Sequence, residues 1–123
     1  MSKSMISIVD DDLSVREALK DLIRSMGFAV ATFACAEEFL CSDVLAQTGC
    51  LITDMRMPGM SGLELHMRLQ DKGTPVPMIL ITAFADEKEK ARALQAGVVG
   101  YLTKPFNESE LLGRIRSAFG AQK

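Results

Sequence analysis

Five short apolar runs recur along the chain, and a stretch with helical periodicity follows each of them. The runs are Met5–Val9, Phe28–Phe33, Cys50–Thr53, Met78–Thr82 and Val98–Thr103. Their length and their content of β-branched residues are typical of buried strands. Strands that alternate with helices indicate a parallel sheet that is covered on both faces and joined by right-handed crossovers. The pattern therefore predicts one doubly wound α/β domain over residues 1–123, a length that suits a single core.

Four helix starts are marked by a capping side chain that lies three residues before a glutamate. The pairs are Ser14 with Glu17, Ser61 with Glu64, Asp86 with Glu89, and Asn107 with Glu110. A further helix, expected from Ala36 to Leu45 between the second and third strands, has no clear cap. The sequence thus predicts five helices, of which four have a defined start.

Composition narrows the classes of function. The chain is 48% apolar and 24% charged and has a net charge of -2, which is typical of a soluble globular protein and not of a polybasic nucleic-acid binder. No run has the length of a membrane span and the first residues form no secretory signal, so we expect a cytoplasmic location. Cys35, Cys41 and Cys50 lack C-x-x-C spacing and are interpreted as apolar fillers. The only histidine, His66, is expected at the surface of a helix, without a catalytic role.

Polar side chains lie at the carboxyl ends of four of the five runs. They are Asp10, Asp11 and Asp12 after the first, Asp54 after the third, Thr82 in the fourth and Lys104 after the fifth. These ends meet at one edge of a parallel sheet, where such sheets bind ligands. Carboxylates so close together require a cation, and Mg²⁺ fits because phosphoryl oxygens complete its coordination. The pattern predicts phosphoryl transfer with Asp54 as the nucleophile and Lys104 balancing the transferred charge.

These residues resemble the receiver domains of two-component response regulators, which have a CheY-like, flavodoxin-like fold with strand order 2-1-3-4-5. The resemblance covers nearly the whole chain and rests on "IVDDD", "ITDMRMPGMSGLEL", "ILITA" and "KPF". It implies that Asp54 accepts a phosphoryl group and that Lys104 pairs with the phosphoryl oxygens. The magnesium ligands that it implies are Asp10, Asp11, Asp54 and the backbone carbonyl of Arg56.

The resemblance also implies how a phosphoryl group acts at a distance. The hydroxyl of Thr82 moves toward it and Tyr101 turns inward, which changes the surface formed by the fourth helix, fifth strand and fifth helix. Arg56 and Phe84 flank the path of the hydrolytic water, and we expect them to shield the phosphoryl group. The Lys104–Pro105 bond is expected to be cis.

The leading interpretation is a phosphoacceptor switch, not an enzyme with a separate substrate. It takes its phosphoryl group from a sensor histidine kinase and loses it to water. Homodimerisation on phosphorylation is expected, as is a helix-turn-helix transcription output outside these residues. Neither membrane nor nucleic acid is an expected partner of this segment. Two alternatives stay open: a haloacid-dehalogenase-like phosphatase that uses Asp10 of "VDDDL" as its nucleophile, and a non-catalytic acidic domain that binds metal.

Overall fold

The computed structural model describes residues 4–120 as alternating strands and helices. In chain order the elements are β1 (Met5–Val9), α1 (Leu13–Ser25), β2 (Ala29–Phe33), α2 (Ala36–Leu40), a 3-10 helix (Asp43–Gln47), β3 (Thr48–Asp54), α3 (Gly62–Asp71), β4 (Met78–Thr82), α4 (Glu87–Gln95), β5 (Gly100–Thr103) and α5 (Glu108–Gly120). The strands form one parallel sheet with the order β2-β1-β3-β4-β5. The predicted fold and strand order are confirmed. No helix within this part of the chain has the length and apolar character needed to cross a bilayer.

Two separate apolar clusters hold the sheet between its helices. The front core packs α2, α3 and α4 on one face and includes Val9, Leu51, Leu65, Leu80 and Tyr101. The back core packs α1 and α5 on the other face and includes Ile8, Ile23, Ile52, Ile81 and Ile115. Successive side chains of a strand point to opposite faces. Because β1, β3 and β4 are buried on both faces, they appear in the sequence as continuous apolar runs.

The strand register fixes what meets at the carboxyl edge of the sheet. Val9 of β1 lies opposite Thr53 of β3, and Asp54 lies opposite Ile81 of β4. The next residue after Val9 is Asp10, which therefore lies beside Asp54 on the neighbouring strand. This register brings the acidic residues of two strands together before any loop is considered.

Strand bounds were predicted correctly for β1 and β4 and differ elsewhere. The observed starts are Ala29 for β2, Thr48 for β3 and Gly100 for β5. The β5 prediction began too early because the N–H group of Val98 donates to the carbonyl of Ala93 and so belongs to the end of α4.

Three of the four predicted helix caps are present. Ser61 and Glu64 form a reciprocal capping box at α3, with both side chain to backbone bonds at 3.1 Å. Asn107 and Glu110 form the same pair at α5, at 2.8 and 3.4 Å. Asp86 caps α4 by accepting two backbone N–H groups of its first turn. These caps satisfy N–H groups that have no partner inside a helix.

The predicted cap of α1 is wrong. Asp12, and not Ser14, is the N-cap residue, and its carboxylate accepts the backbone N–H groups of Ser14 at 2.9 Å and Val15 at 3.3 Å. Glu17 instead forms an ion pair with Lys20 at 2.7 Å. An aspartate caps as well as a serine does, so Asp12, which precedes Ser14, starts the helix two residues earlier.

The helix expected from Ala36 to Leu45 is divided into two pieces. α2 ends at Leu40, and the 3-10 helix begins after Ser42, whose hydroxyl accepts the N–H group of Val44 at 2.9 Å. Ser42 thus acts as a cap in the middle of the segment that we predicted to be continuous.

His66 is buried, which corrects the predicted surface position. Its side chain is 4% exposed, and Nε2 lies 2.8 Å from the carbonyl oxygen of Ala96 at the end of α4. Gln70 donates to the same carbonyl at 3.2 Å. A helical pattern alone assigns a polar residue to solvent, whereas this one has a partner on another helix.

Replacing His66 with alanine is expected to lower the free energy of unfolding by about 2 kcal/mol, because it removes a buried ring and the hydrogen bond that joins α3 to α4. Met67→Ala is the matched control, since Met67 is the next residue of α3 and is exposed. Its expected change stays within about 0.5 kcal/mol. Urea denaturation measures both values, and two equally small losses would contradict the assigned role of His66.

Candidate functional site

Three carboxylates meet at the carboxyl edge of the sheet. Asp10 and Asp11 directly follow β1, and Asp54 is the last residue of β3. One oxygen from each lies within 4.8 Å of the other two. Asp10 is buried, Asp54 is half-buried and Asp11 is exposed, so the cluster opens toward solvent. The structure brings together all three of the carboxylates that the sequence predicted as metal ligands.

The charged form of Asp10 is disfavoured in the folded protein. Burial raises the pKa of Asp10, and this effect outweighs the N–H group of Asp12, which donates to its Oδ1 at 2.9 Å and lowers the pKa. The charge of Asp54 raises the pKa further, the ammonium of Lys104 lowers it and the charge of Asp11 raises it. A shared divalent cation would relieve this repulsion, and an all-oxygen donor set suits Mg²⁺.

Asp12, the cap of α1, and Arg16, within α1, hold the turn after β1. The carboxylate of Asp12 is engaged as the cap of α1. Arg16, one turn into the helix, donates from Nη1 to the backbone carbonyl of Asp10 at 2.7 Å. Sequence reasoning missed Arg16, because a contact between an arginine side chain and a backbone carbonyl has no sequence signature.

The loop after β3 keeps backbone close to Asp54. The N–H group of Arg56 donates to Oδ1 of Asp54 at 3.2 Å, and Gly59 has a φ of +80°, which favours glycine. At Gly62, a Cβ atom would lie 2.6 Å from the carbonyl oxygen of Asp54. Glycine at the start of α3 is therefore required for the close approach of this helix to β3.

Thr82 and Lys104 lie at the same edge, on β4 and directly after β5. Thr82 is buried, and its hydroxyl lies 3.2 Å from both the backbone nitrogen and the backbone oxygen of Phe84. The N–H group of Lys104 donates to the carbonyl of Thr82 at 2.8 Å. The Lys104–Pro105 bond is cis, as the resemblance implies. The strand ends thus carry a hydroxyl and an ammonium beside the three carboxylates.

Tyr101 is buried in the front core and is linked to Arg56 through Glu89. The hydroxyl of Tyr101 donates to Oε1 of Glu89 at 3.1 Å, and Nη2 of Arg56 lies 3.3 Å from Oε2. Burial raises the pKa of Tyr101, and the Glu89 carboxylate raises it further. The ring of Phe84 is 70% exposed. We assigned Glu89 only to the cap at Asp86, and no sequence spacing indicates its link to the other two residues.

A family model described as "Response regulator receiver domain" matches residues 6–116. The chain belongs to the response regulator receiver family. This receiver is similar to the response regulator protein TodT of Pseudomonas putida, with 46% identity over 94% of this chain, and to the transcriptional regulatory protein FixJ of Azorhizobium caulinodans, with 36% identity over 94%. It spans about half the length of these relatives, 51% of TodT and 54% of FixJ.

Solved structures of receivers share the arrangement described above. The crystal structure of FixJ-N has a TM-score of 0.87 and 36% identity, over 98% of this receiver and 96% of that chain. The structure of the response regulator StyR has a TM-score of 0.88 and 46% identity, over 98% of this receiver and 61% of that chain. The sheet order is therefore that of a response regulator receiver.

Gly62→Ala is expected to lower the free energy of unfolding by about 2 kcal/mol, because the added methyl group lies 2.6 Å from both the Asp54 carbonyl oxygen and the Leu80 side chain. Gly113→Ala is the matched control, since Gly113 lies within α5 and its Cβ would meet open space. That variant is expected to gain about 0.5–1 kcal/mol from helix propensity. Urea denaturation measures the free energy of unfolding of both variants. A Gly62→Ala protein as stable as the wild type would contradict the close approach of α3 to β3.

Asp10→Asn is expected to raise the melting temperature at pH 7 in the presence of a chelator. The folded-state pKa of Asp10 lies above its unfolded value, so the stability from this group is fully present below the unfolded pKa and is lost as pH rises through the folded pKa. The amide removes that loss and keeps an oxygen for the Asp12 N–H group. Calorimetry from pH 3 to 8 measures the difference, which should vanish at the acid end.

Added magnesium distinguishes the unfavourable charge of Asp10 from its predicted role as a metal ligand. Addition of MgCl₂ should raise the melting temperature of the wild type and raise that of Asp10→Asn much less. Asp21→Asn, an exposed change on α1, is the control and should behave as the wild type in both experiments. An equal response of all three proteins to magnesium would remove Asp10 from the metal site.

Proposed function

We propose that this receiver accepts a phosphoryl group on Asp54 from a phosphohistidine of a sensor histidine kinase. The observation that carries the proposal is the clustering of Asp10, Asp11 and Asp54 within 4.8 Å at the carboxyl edge of the sheet. Of the three, Asp54 is both half-exposed and at the end of a central strand. A phosphoryl donor can reach it, whereas Asp10 is buried.

Each residue of the edge has a distinct role in this proposal. The carboxylates of Asp10, Asp11 and Asp54 and the backbone carbonyl of Arg56 hold Mg²⁺, which supplies positive charge to the phosphoryl oxygens. Lys104 adds a second positive charge from the end of β5. The N–H group of Arg56 orients the Asp54 carboxylate through its bond to Oδ1.

The transfer is a displacement at phosphorus. A carboxylate oxygen of Asp54 forms a bond to phosphorus while the bond from phosphorus to the histidine nitrogen breaks. The electron pair of the broken bond stays on that nitrogen, which takes a proton from solvent as the neutral imidazole leaves. In hydrolysis, a water oxygen bonds to phosphorus and the bond from phosphorus to the Asp54 oxygen breaks. The products are inorganic phosphate and the original carboxylate, and the water's proton goes to solvent. The chain thus modifies itself and has no separate substrate.

The phosphoryl group acts on the rest of the domain through its charge. It brings nearly two negative charges and three acceptor oxygens to the edge. The hydroxyl of Thr82, now engaged with the backbone of Phe84, then turns toward it. This movement and that of Tyr101 change the surface of α4, β5 and α5, through which the phosphorylated receiver forms a homodimer.

The output of the switch is proposed to be transcription. The relatives TdiR and FixJ are named transcriptional regulatory proteins, and this receiver spans about half of their length. We infer that it controls a DNA-binding portion of a longer cytoplasmic protein.

The phosphatase alternative is disfavoured by the contacts of its two aspartates. A nucleophile at Asp10 and an acid at Asp12 must both face a substrate. Asp10 is 3% exposed, and the Asp12 carboxylate caps α1. The alternative of a non-catalytic metal site uses the same carboxylates, so an experiment has to separate it from the proposed function.

Intact mass after incubation with acetyl phosphate and Mg²⁺ tests the proposal. The wild type is expected to gain one phosphoryl group, Asp54→Asn none, and the wild type without Mg²⁺ far less. Asp71→Asn, an exposed aspartate at the end of α3, is the control and should gain one group.

Two results would contradict the phosphoacceptor role. A gain that persists in Asp54→Asn and disappears in Asp10→Asn would favour the phosphatase. No gain in any variant, with Mg²⁺ still bound, would favour the non-catalytic metal site.

A further inference from the structure

The carboxylate of Glu89 contacts both Arg56, in the loop that follows Asp54, and Tyr101, in β5. Its Oε2 lies 3.3 Å from Nη2 of Arg56, and its Oε1 accepts the hydroxyl of Tyr101 at 3.1 Å. Arg56 is itself bonded to Asp54, since its backbone N–H group donates to Oδ1 at 3.2 Å. A continuous series of polar contacts therefore runs from Asp54 to Tyr101, and Glu89 is its centre.

Arg56, Glu89 and Tyr101 differ in how firmly they are held. Glu89 lies in the first turn of α4, and its N–H group is bonded to the Asp86 carboxylate at 3.2 Å. Its side chain is 18% exposed, whereas that of Arg56 is 59% exposed. Tyr101 is packed in the front core. The guanidinium of Arg56 is thus the partner with room to move.

We propose that Glu89 is a positioning residue that competes with the phosphoryl group on Asp54 for the guanidinium of Arg56, and thereby couples phosphorylation to the hydroxyl of Tyr101. The inference rests on the proposed function of Asp54. In the unmodified receiver Glu89 holds both partners. After phosphorylation Arg56 binds the phosphoryl oxygens, and Glu89 loses its cation.

The phosphoryl group is the stronger competitor. It offers nearly two charges and three acceptor oxygens, whereas Glu89 offers one charge and already uses one oxygen for Tyr101. A guanidinium also binds phosphate oxygens in a bidentate manner. Arg56 can serve both groups because its backbone lies two residues from Asp54 and its side chain extends to α4.

The departure of Arg56 changes the environment of Glu89. A partly buried carboxylate that loses its cation is less stable in place, and the new phosphoryl charge repels it. Both effects favour movement of Glu89 toward solvent, which takes the acceptor away from the Tyr101 hydroxyl. This route to Tyr101 passes through α4 and is separate from the movement of Thr82.

Beryllofluoride, a phosphoryl mimic, measures the competition when it is titrated into the 123-residue chain with Mg²⁺ and followed by calorimetry. Glu89→Gln removes the competing charge and keeps an oxygen for Tyr101. The midpoint, which is the beryllofluoride concentration at half-saturation, should therefore fall by about two- to fivefold. Arg56→Ala should raise it by about the same factor. In the Arg56→Ala background, Glu89→Gln should have a much smaller effect, because only the direct repulsion between Glu89 and the mimic is left to remove. Glu87→Gln, an exposed change in the same turn, is the control and should titrate as the wild type.

Tyr101 supplies a second measurement. It is the only tyrosine of a chain that has no tryptophan, so tyrosine fluorescence reports on this residue alone. A carboxylate that accepts a phenol hydrogen bond quenches the emission. Beryllofluoride should therefore raise the tyrosine emission of the wild type and raise that of Arg56→Ala much less. The increase in Arg56→Lys should lie between these two values.

The outcomes separate this coupling from the proposed function. Equal midpoints in the wild type, Arg56→Ala and Glu89→Gln, or an equal change in emission in the wild type and Arg56→Ala, would overturn the coupling alone. The mass measurement should then still show phosphoryl gain in these proteins. A wild type that gains no phosphoryl group would overturn the proposed function and the coupling together.

Discussion

The parallel pairing of β1 with β3 is the constraint on which the rest of the site depends. Its register places Val9 opposite Thr53, so the next residues, Asp10 and Asp54, follow on neighbouring strands. Two carboxylates placed in this way repel each other, and the burial of Asp10 makes its charge more costly. This cost lies at the edge of the sheet, where a bound cation would offset it.

Much of the fold could be predicted because the three central strands, β1, β3 and β4, are buried on both faces. Such strands produce apolar runs, and their alternation with helices predicted a doubly wound sheet, whereas the strand order was implied by the family resemblance. The bounds of β1 and β4 were predicted correctly. Errors arose where a side chain had more than one acceptable partner. Asp12 and Ser14 can both cap a helix, and His66 bonds to a carbonyl that only the packing of α3 against α4 provides.

The candidate site was predictable to the extent that it depends on topology. Parallel strands bring their carboxyl ends to one edge, so residue types after the apolar runs indicated Asp10, Asp11, Asp12 and Asp54, and the family resemblance selected Asp10, Asp11 and Asp54 from these. Side-chain contacts between distant segments were not predictable in this way. Arg56 meets Glu89 from 33 residues away, and that contact depends on how α4 is placed over β5 and on the conformations of two long side chains.

The two cores divide the domain into two halves that share only the strands of the sheet. Tyr101 and the helices α3 and α4 pack in the front core, whereas α1 and α5 pack in the back core with different side chains of the same strands. Substitutions on the α3 and α4 side can therefore accumulate without altering the contacts that hold α1 and α5 to the sheet. A lineage of such domains can acquire new partners on one side while the other preserves the frame.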